Sequence, residues 1–131
     1  MNKINATITD IQSVDSINIV SFEASGYLMK MMALELKEDL CIGSQVVIGA
    51  KATNISLTKH NIEMISVSNQ LEVKIESIHL GELLCSIRFN VSGEVWESII
   101  TRDSALRMQL RTGESIVALI KSSELSIVEV L

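Results

Sequence analysis

Apolar and polar residues alternate along several runs of this sequence, with the period of two that a half-buried strand shows. Every odd-numbered residue from 83 to 91 is apolar, and Val73 and Ile75 alternate with Lys74 and Glu76. Because successive side chains of a strand point to opposite faces of a sheet, these runs predict β-strands with one face in a core. The chain contains no proline, which suits uninterrupted strands.

Glycines separate the predicted strands. Ser25-Gly26 and Ser92-Gly93 predict tight hairpin turns, because glycine readily adopts a positive φ. Gly43 and Gly113 each stand just before a β-branched run, and each predicts a second turn that leads into another strand.

The same order of strands and turns occurs twice. When the sequence is displaced by 67 positions, residues 2–26 align with residues 69–93 without a gap. Identical pairs in that alignment are Asn2/Asn69, Ile8/Ile75, Ile11/Ile78, Phe22/Phe89, Ser25/Ser92 and Gly26/Gly93. A displacement of 70 aligns the later part, with Leu40/Leu110, Gly43/Gly113, Val47/Val117, Lys51/Lys121 and Ser56/Ser126 identical. The chain is therefore predicted to hold two copies of one module, at residues 1–62 and 66–131.

Each copy combines four or five short strands with at most one small helix. The helix is predicted at residues 101–108 of the second copy, with Thr101 or Asp103 as its N-cap. This combination is typical of a compact barrel of the oligonucleotide-binding (OB) type. The predicted fold class is all-β, with two small OB-like barrels in tandem.

Composition and charge restrict the classes of partner. Of the residues, 47% are hydrophobic but only 3% are aromatic, so aliphatic side chains must fill the core. The net charge of −5 disfavours nucleic acid and an anionic membrane surface, which both need clustered Lys and Arg. A small anion is still compatible with this charge, because it responds mainly to the donors around it.

The sequence predicts neither an enzyme nor a metal site. No Gly-rich phosphate loop, zinc motif or nucleophile elbow is present. Cys41 and Cys85 are far apart, and His60 and His79 have no partners in a recognisable catalytic order. Two unpaired cysteines and the lack of an apolar leader in residues 1–10 predict a reduced, cytoplasmic location.

Several other residues are interpreted as structural. Methionines 29, 31 and 32 are expected to fill the core rather than bind a soft metal. Trp96 is expected to be a half-buried packing residue, although a stacking platform for a pterin is an alternative. Glu35, Glu38 and Asp39 are interpreted as a solvated face.

Three stretches of the sequence form a recognisable set. The first is Ser66-Val67-Ser68-Asn69-Gln70-Leu71, and the second is residues 100–104 followed by Leu110 and residues 112–114. The third is residues 118–127, which recur more weakly as residues 48–57. These stretches resemble the molybdate-binding Mop/TOBE family, and the tandem arrangement resembles a molbindin. The resemblance covers nearly the whole chain.

The resemblance implies an oxyanion site where modules or subunits meet. The positions that it assigns to this site are Ser66, Val67 (through its backbone), Ser68, Asn69, Lys121, Ser122 and Ser123, together with Lys51, Ala52 and Lys3 of the first copy. Ser68 stands where the family often has Arg, and Lys3 is a candidate for the missing charge in the first copy. Fewer or weaker sites than the family norm are therefore expected.

The chemistry of the ligand agrees with this residue set. Molybdate and tungstate carry no proton at neutral pH, so their oxygens only accept hydrogen bonds. A selective site should then offer donors alone, namely backbone N–H, hydroxyl groups and one Lys. The stretches around Lys121 and Ser66 contain such donors, with no carboxylate before Glu124 and Glu72.

Other interpretations of these residues remain open. Lys121 and Lys51 are alternatively solvated lysines at strand ends, and Ser122 and Ser123 are alternatively turn residues that bond their own backbone. The predicted function is binding of molybdate or tungstate for storage, buffering or sensing. One alternative is the ligand-sensing part of a molybdate-responsive regulator that lacks its DNA-binding domain, and another is an accessory domain that acts only through protein contacts. A homo-oligomer, dimer or trimer, is expected.

Overall fold

Ten strands and one short α-helix make up the regular structure in the computed structural model, which describes residues 1–37 and 39–131. The first half contains β1 (Asn2–Val14), β2 (Ile17–Ala24), β3 (Tyr27–Ala33), β4 (Gln45–Ala50) and β5 (Ser56–Thr58). The second half contains β6 (Asn69–Leu80), β7 (Leu84–Val91), β8 (Glu94–Thr101), α1 (Arg102–Met108), β9 (Ser115–Ile120) and β10 (Ser126–Val130). Single 3₁₀ turns occur at Ala52–Asn54 and Ser122–Glu124.

The predicted alternation and both hairpins are present. Strands β1 and β6 bury every second residue over their first seven positions, so one face of each lies in the core. Gly26 and Gly93 have φ of +96° and +94° in the predicted turns. The prediction of short strands was wrong for β1 and β6, which have 13 and 12 residues and continue past a β-bulge into long hairpin arms.

The two five-stranded sheets exchange a strand. The first sheet has the order β10-β4-β1-β2-β3, and the second has the order β5-β9-β6-β7-β8. Strand β10 therefore pairs with β4 of the other half, where Ser126 faces Gly49. In the same way, β5 pairs with β9, where Ser56 faces Leu119. Sheet pairing thus crosses the proposed division into residues 1–62 and 66–131, which stays a prediction about the repeat.

One hydrophobic core runs through both halves. Among its fully buried members are Phe22 and Ile48 of the first half, and Phe89 and Ile120 of the second. Because each half contributes a strand to the sheet of the other, the two halves share this core rather than pack as independent barrels.

Trp96 and Asn2 join β8 to the start of β1. The Asn2 side chain donates to the carbonyl of Glu97 and accepts from its amide, both at 2.8 Å. The Trp96 indole is fully buried and donates to the Lys3 carbonyl at 3.1 Å. The expectation of a half-buried Trp96 was therefore wrong, because its ring lies in the junction between the two halves.

The predicted helix begins as expected at its N-cap. The Thr101 hydroxyl accepts the Ser104 amide at 3.1 Å, and the helix ends at Gln109 in the left-handed region. In the first half, residues 34–37 and 39–44 contain no helix or strand. No helix in the part of the chain described here is long and apolar enough to cross a membrane.

Burial confirms some of the structural interpretations and corrects one. Met29 and Met31 are buried in the core, but Met32 is 44% exposed because it lies on the outer face of β3. Glu35 and Asp39 are exposed, as a solvated face requires. Glu38 lies outside the described residues.

Candidate functional site

The strand register brings the two donor-rich stretches of the second copy to the same end of one strand pair. Asn69 at the start of β6 faces Ile120 at the end of β9. Ser66, Val67 and Ser68 come just before β6, and Lys121 comes just after β9. Because the strands are antiparallel, these residues adjoin, although they are more than fifty positions apart in sequence.

Lys121 immediately precedes a 3₁₀ turn. Its backbone is extended, with φ −62° and ψ 145°, and its carbonyl accepts the Glu124 amide at 2.9 Å. The Lys121 and Ser123 side chains are exposed, and Ser122 is partly buried. Ser122 and Ser123 are therefore turn residues, and Lys121 extends toward solvent, where an anion can reach it.

The first copy builds the same backbone with fewer donors. Asn2 faces Ala50, and Lys51 then precedes the turn Ala52–Asn54 with φ −72° and ψ 143°. Lys3 is exposed and faces Gly49, so it lies at the same end of the strand pair. The repeated lysines thus occupy matching positions in the two halves.

The two 3₁₀ turns touch each other. Asn54 donates to the carboxylate of Glu124 at 2.7 Å. Asn54 and Glu124 occupy equivalent positions in the two copies. The candidate stretches of both copies therefore lie around one junction.

Asn69 anchors the stretch that precedes it. Its side chain is fully buried, accepts the Lys30 amide at 2.7 Å and donates to the Lys30 carbonyl at 2.9 Å. This pair of bonds matches the pair between Asn2 and Glu97. The Asn69 side chain thus binds β3 and fixes the position of Ser68, which is a positioning role.

Ser68 and Asn69 also line an open cavity of about 360 Å³ beside β2 and β3. Its other lining residues are Thr9, Ser21, Phe22, Leu28, Met29 and Lys30. Lys30 was not among the predicted site residues. Its counterpart in the second copy is Glu97, so no repeated pattern marks it in the sequence.

Two other titratable groups are perturbed. Lys59 donates to the Glu114 carboxylate, and this hydrogen bond lowers the pKa of that carboxyl. Burial raises the pKa of the Cys85 thiol, while Cys41 is exposed. No group of three or more His, Cys, Asp or Glu within residues 1–37 and 39–131 is arranged to hold a metal ion.

A known protein domain matches the sequence of the second copy. The sequence profile of the TOBE domain matches residues 65–127. The molybdate/tungstate import ATP-binding protein WtpC of Pyrococcus horikoshii is 24% identical over 110 residues, which cover 84% of this chain. The chain spans about a third of the length of that relative (32%).

A solved structure matches the whole fold. The cytoplasmic molybdate-binding protein ModG, in a crystal form with molybdate bound, superimposes with a TM-score of 0.88. The match covers 95% of this chain and 93% of that one, at 21% sequence identity. The predicted all-β fold of two OB-like units is thereby confirmed. Together with the strands and turns above, these matches agree with the resemblance seen in the sequence: residues 65–127 match the TOBE domain, and the whole chain shares the fold of ModG.

Proposed function

We propose that this protein binds molybdate or tungstate and catalyses no reaction. The observation that supports this most directly is the junction of residues 66–68 with residues 121–123 at one end of the β6–β9 pair. These six residues offer hydroxyls, backbone amides and one ammonium group, and none is acidic. Such a set suits a ligand whose oxygens only accept hydrogen bonds.

The described functions of the similar proteins agree with this proposal. ModG is described as a molybdate-binding protein, and WtpC as a molybdate/tungstate import ATP-binding protein. Because the chain matches only about a third of WtpC (32%), the shared property that we propose is oxyanion binding rather than ATP binding. We also propose a cytoplasmic role in storage, buffering or sensing, which the description of ModG as a cytoplasmic protein supports.

The proposed binding residues are those of the sequence analysis. In the second half they are Ser66, the Val67 backbone, Ser68, Lys121, Ser122 and Ser123, with Asn69 holding the stretch in place. In the first half they are Lys51, Ala52 and Lys3, which offer fewer hydroxyls. The site of the second half should therefore bind more tightly than its counterpart.

We further propose that copies of the chain assemble into a dimer or trimer. The candidate residues are mostly exposed at one end of the strand pairs, so one chain surrounds an anion only in part. A second subunit that adds donors to the open side completes the site, and ligand binding then strengthens assembly by mass action. Light scattering with and without molybdate tests this, and a monomer that binds tightly in both conditions contradicts it.

Calorimetric titration with molybdate, tungstate, sulfate and phosphate tests the proposed function. We expect strong binding of the first two anions and weaker binding of phosphate, which is partly protonated at neutral pH and places an O–H in a site whose amide N–H and ammonium groups cannot accept a hydrogen bond. Sulfate has to be excluded by size. Equal heats for all four anions contradict a selective site, and no heat for any of them favours an accessory domain that acts through protein contacts alone.

A further inference from the structure

The cavity beside Lys30 has the donor chemistry of an oxyanion site. The polar residues that line it are Thr9, Ser21, Lys30, Ser68 and Asn69. Three of them carry a hydroxyl, Lys30 carries an ammonium group, and the Asn69 amide already binds the Lys30 backbone. No acidic residue is among its lining residues.

Other cavities of the described residues differ in this respect. Glu72 lines the largest of them, and Glu35 and Glu129 line the groove beside β10. Glu114 and Glu97 line two more. A carboxylate repels an oxyanion, so the cavity beside Lys30 is the one among these five whose lining suits a small anion.

The internal repeat provides a matched comparison within the same molecule. Thr9, Ser21, Lys30 and Ser68 correspond to Glu76, Arg88, Glu97 and Met1 in the alignment displaced by 67. Arg88 lies 3.6 Å from the Glu97 carboxylate, and Ser86 also donates to it, so the cation there already has an anionic partner within the chain. The two halves share a backbone, but only the first offers a cavity of donors at this place.

We propose that this cavity is a second oxyanion subsite, in which the Lys30 ammonium supplies the charge and the hydroxyls of Thr9, Ser21 and Ser68 supply hydrogen bonds. It rests on the proposed function and borders the site proposed there, because Ser68 belongs to both, but neither Lys121 nor Ser122 lines this cavity. The volume of about 360 Å³ is roughly a dozen waters, so an anion keeps part of its hydration there. The subsite therefore takes tetrahedral dianions with little selection by size, and sulfate competes with molybdate in it.

Lys30→Met tests this proposal with the backbone anchor intact, since Asn69 binds only the amide and carbonyl of Lys30. Equilibrium dialysis in low salt, with molybdenum counted by mass spectrometry, gives the number and affinity of bound anions. We expect the Lys30→Met variant to lose one weakly bound molybdate per chain, or to bind that molybdate on the order of five-fold more weakly. This is the effect expected when one exposed charge contact is removed. The Lys30→Arg variant should retain this bound molybdate, and the Lys30→Gln variant should lose it.

Lys74→Met is the matched control, because Lys74 is also an exposed strand lysine but lines a cavity that contains Glu72. This control should bind molybdate as the unchanged protein does, and added sulfate should displace only the molybdate that depends on Lys30.

Anion binding that is the same in the Lys30→Met variant and the unchanged protein overturns the subsite but leaves the proposed function standing. If the Lys30→Met variant binds every molybdate more weakly by the same factor, Lys30 belongs to the Lys121 site, and the separate subsite is also overturned. If the unchanged protein binds no molybdate at all, both proposals fail.

Discussion

At the scale of single residues, two buried asparagines connect the halves. Asn2 and Asn69 each present an amide to the backbone of an outer strand of the other half, and each makes one donor and one acceptor bond. A side-chain amide has the same donor and acceptor as a peptide unit, so each asparagine pairs with the strand as a neighbouring strand does. Their identity in the two copies was visible in the sequence, but their partners were not.

We predict that Asn69→Ala destabilises the protein without anion present. The change leaves the Lys30 amide and carbonyl without their partner, which should lower the free energy of unfolding by about 1–3 kcal/mol. Urea unfolding measures this, and Asn5→Ala is the control because Asn5 is exposed on β1. If the free energy of unfolding falls no more in Asn69→Ala than in the control, the two hydrogen bonds make no net contribution to stability.

We predict that Lys121→Ala weakens molybdate binding and leaves the fold unchanged. Loss of a charge-assisted hydrogen bond should cost about 1.5–3 kcal/mol, or one to two decades in affinity. Lys51→Ala should have a smaller effect, because the first half offers fewer hydroxyls around that lysine. Calorimetry measures both variants, and unchanged affinity in both indicates that backbone amides or another site hold the anion.

The two cysteines should differ sharply in reactivity. Cys41 is exposed, while Cys85 is fully buried and burial raises the pKa of its thiol. Because the thiolate is the reactive form, an alkylating reagent should label Cys41 in the native protein and Cys85 only after unfolding. Mass spectrometry of the labelled peptides checks this, and equal labelling in the native state contradicts the burial of Cys85.

At the scale of elements, the ion pair between Lys59 and Glu114 fixes the exchanged strand β5. Lys59 follows β5, and Glu114 precedes β9, the strand with which β5 pairs. The ion pair therefore holds the end of the three-residue pairing between β5 and β9. It supports a strand whose own residues are exposed or only partly buried. It also makes the attachment of β5 sensitive to acid.

Glu114→Gln should reduce the acid sensitivity of the protein. Because the pKa of Glu114 is lowered in the folded state, its contribution to stability is present at neutral pH and is lost as the pH falls through the ordinary glutamate range toward the lowered value. Stability of the unchanged protein should fall more steeply over that interval than stability of Glu114→Gln. Urea unfolding at several pH values measures the two slopes, and parallel slopes mean that the pair makes no net contribution.

The sequence predicted most of the elements, because they depend on local rules. Alternation, glycine turns and the Thr101 N-cap are properties of neighbouring residues, and all three are present in the structure. The strand exchange was not predicted, since β10 has the same sequence pattern whether it pairs with β9 or with β4. Lys30 was missed for a similar reason, because an isolated lysine on a strand becomes informative only when folding places Ser68 beside it.

At the scale of the whole molecule, the shared core and the exchanged strands make the halves depend on each other. Residues 1–62 alone lack β10, and residues 66–131 alone lack β5. Each fragment also loses the partner of its asparagine. The full chain should therefore unfold as a single cooperative unit, despite its internal repeat.

Separate expression of the two fragments tests this dependence. We expect each fragment alone to show broad, low-temperature melting by circular dichroism, and an equimolar mixture to recover a sharper transition at higher temperature. The full chain should show one calorimetric transition. Two independent fragments that each melt as sharply as the full chain contradict the role given to the exchange.

The position of β10 has a consequence for the order in which the chain is synthesised. Val130 is 80 residues after Ala50, so at about 5–20 residues per second a ribosome needs roughly 4–16 s to make the strand that covers the edge of β4. During that interval the nascent chain presents an open strand edge, which is a template for pairing with another unfinished chain. Lower expression, which separates neighbouring ribosomes, should therefore increase the yield of correctly folded protein.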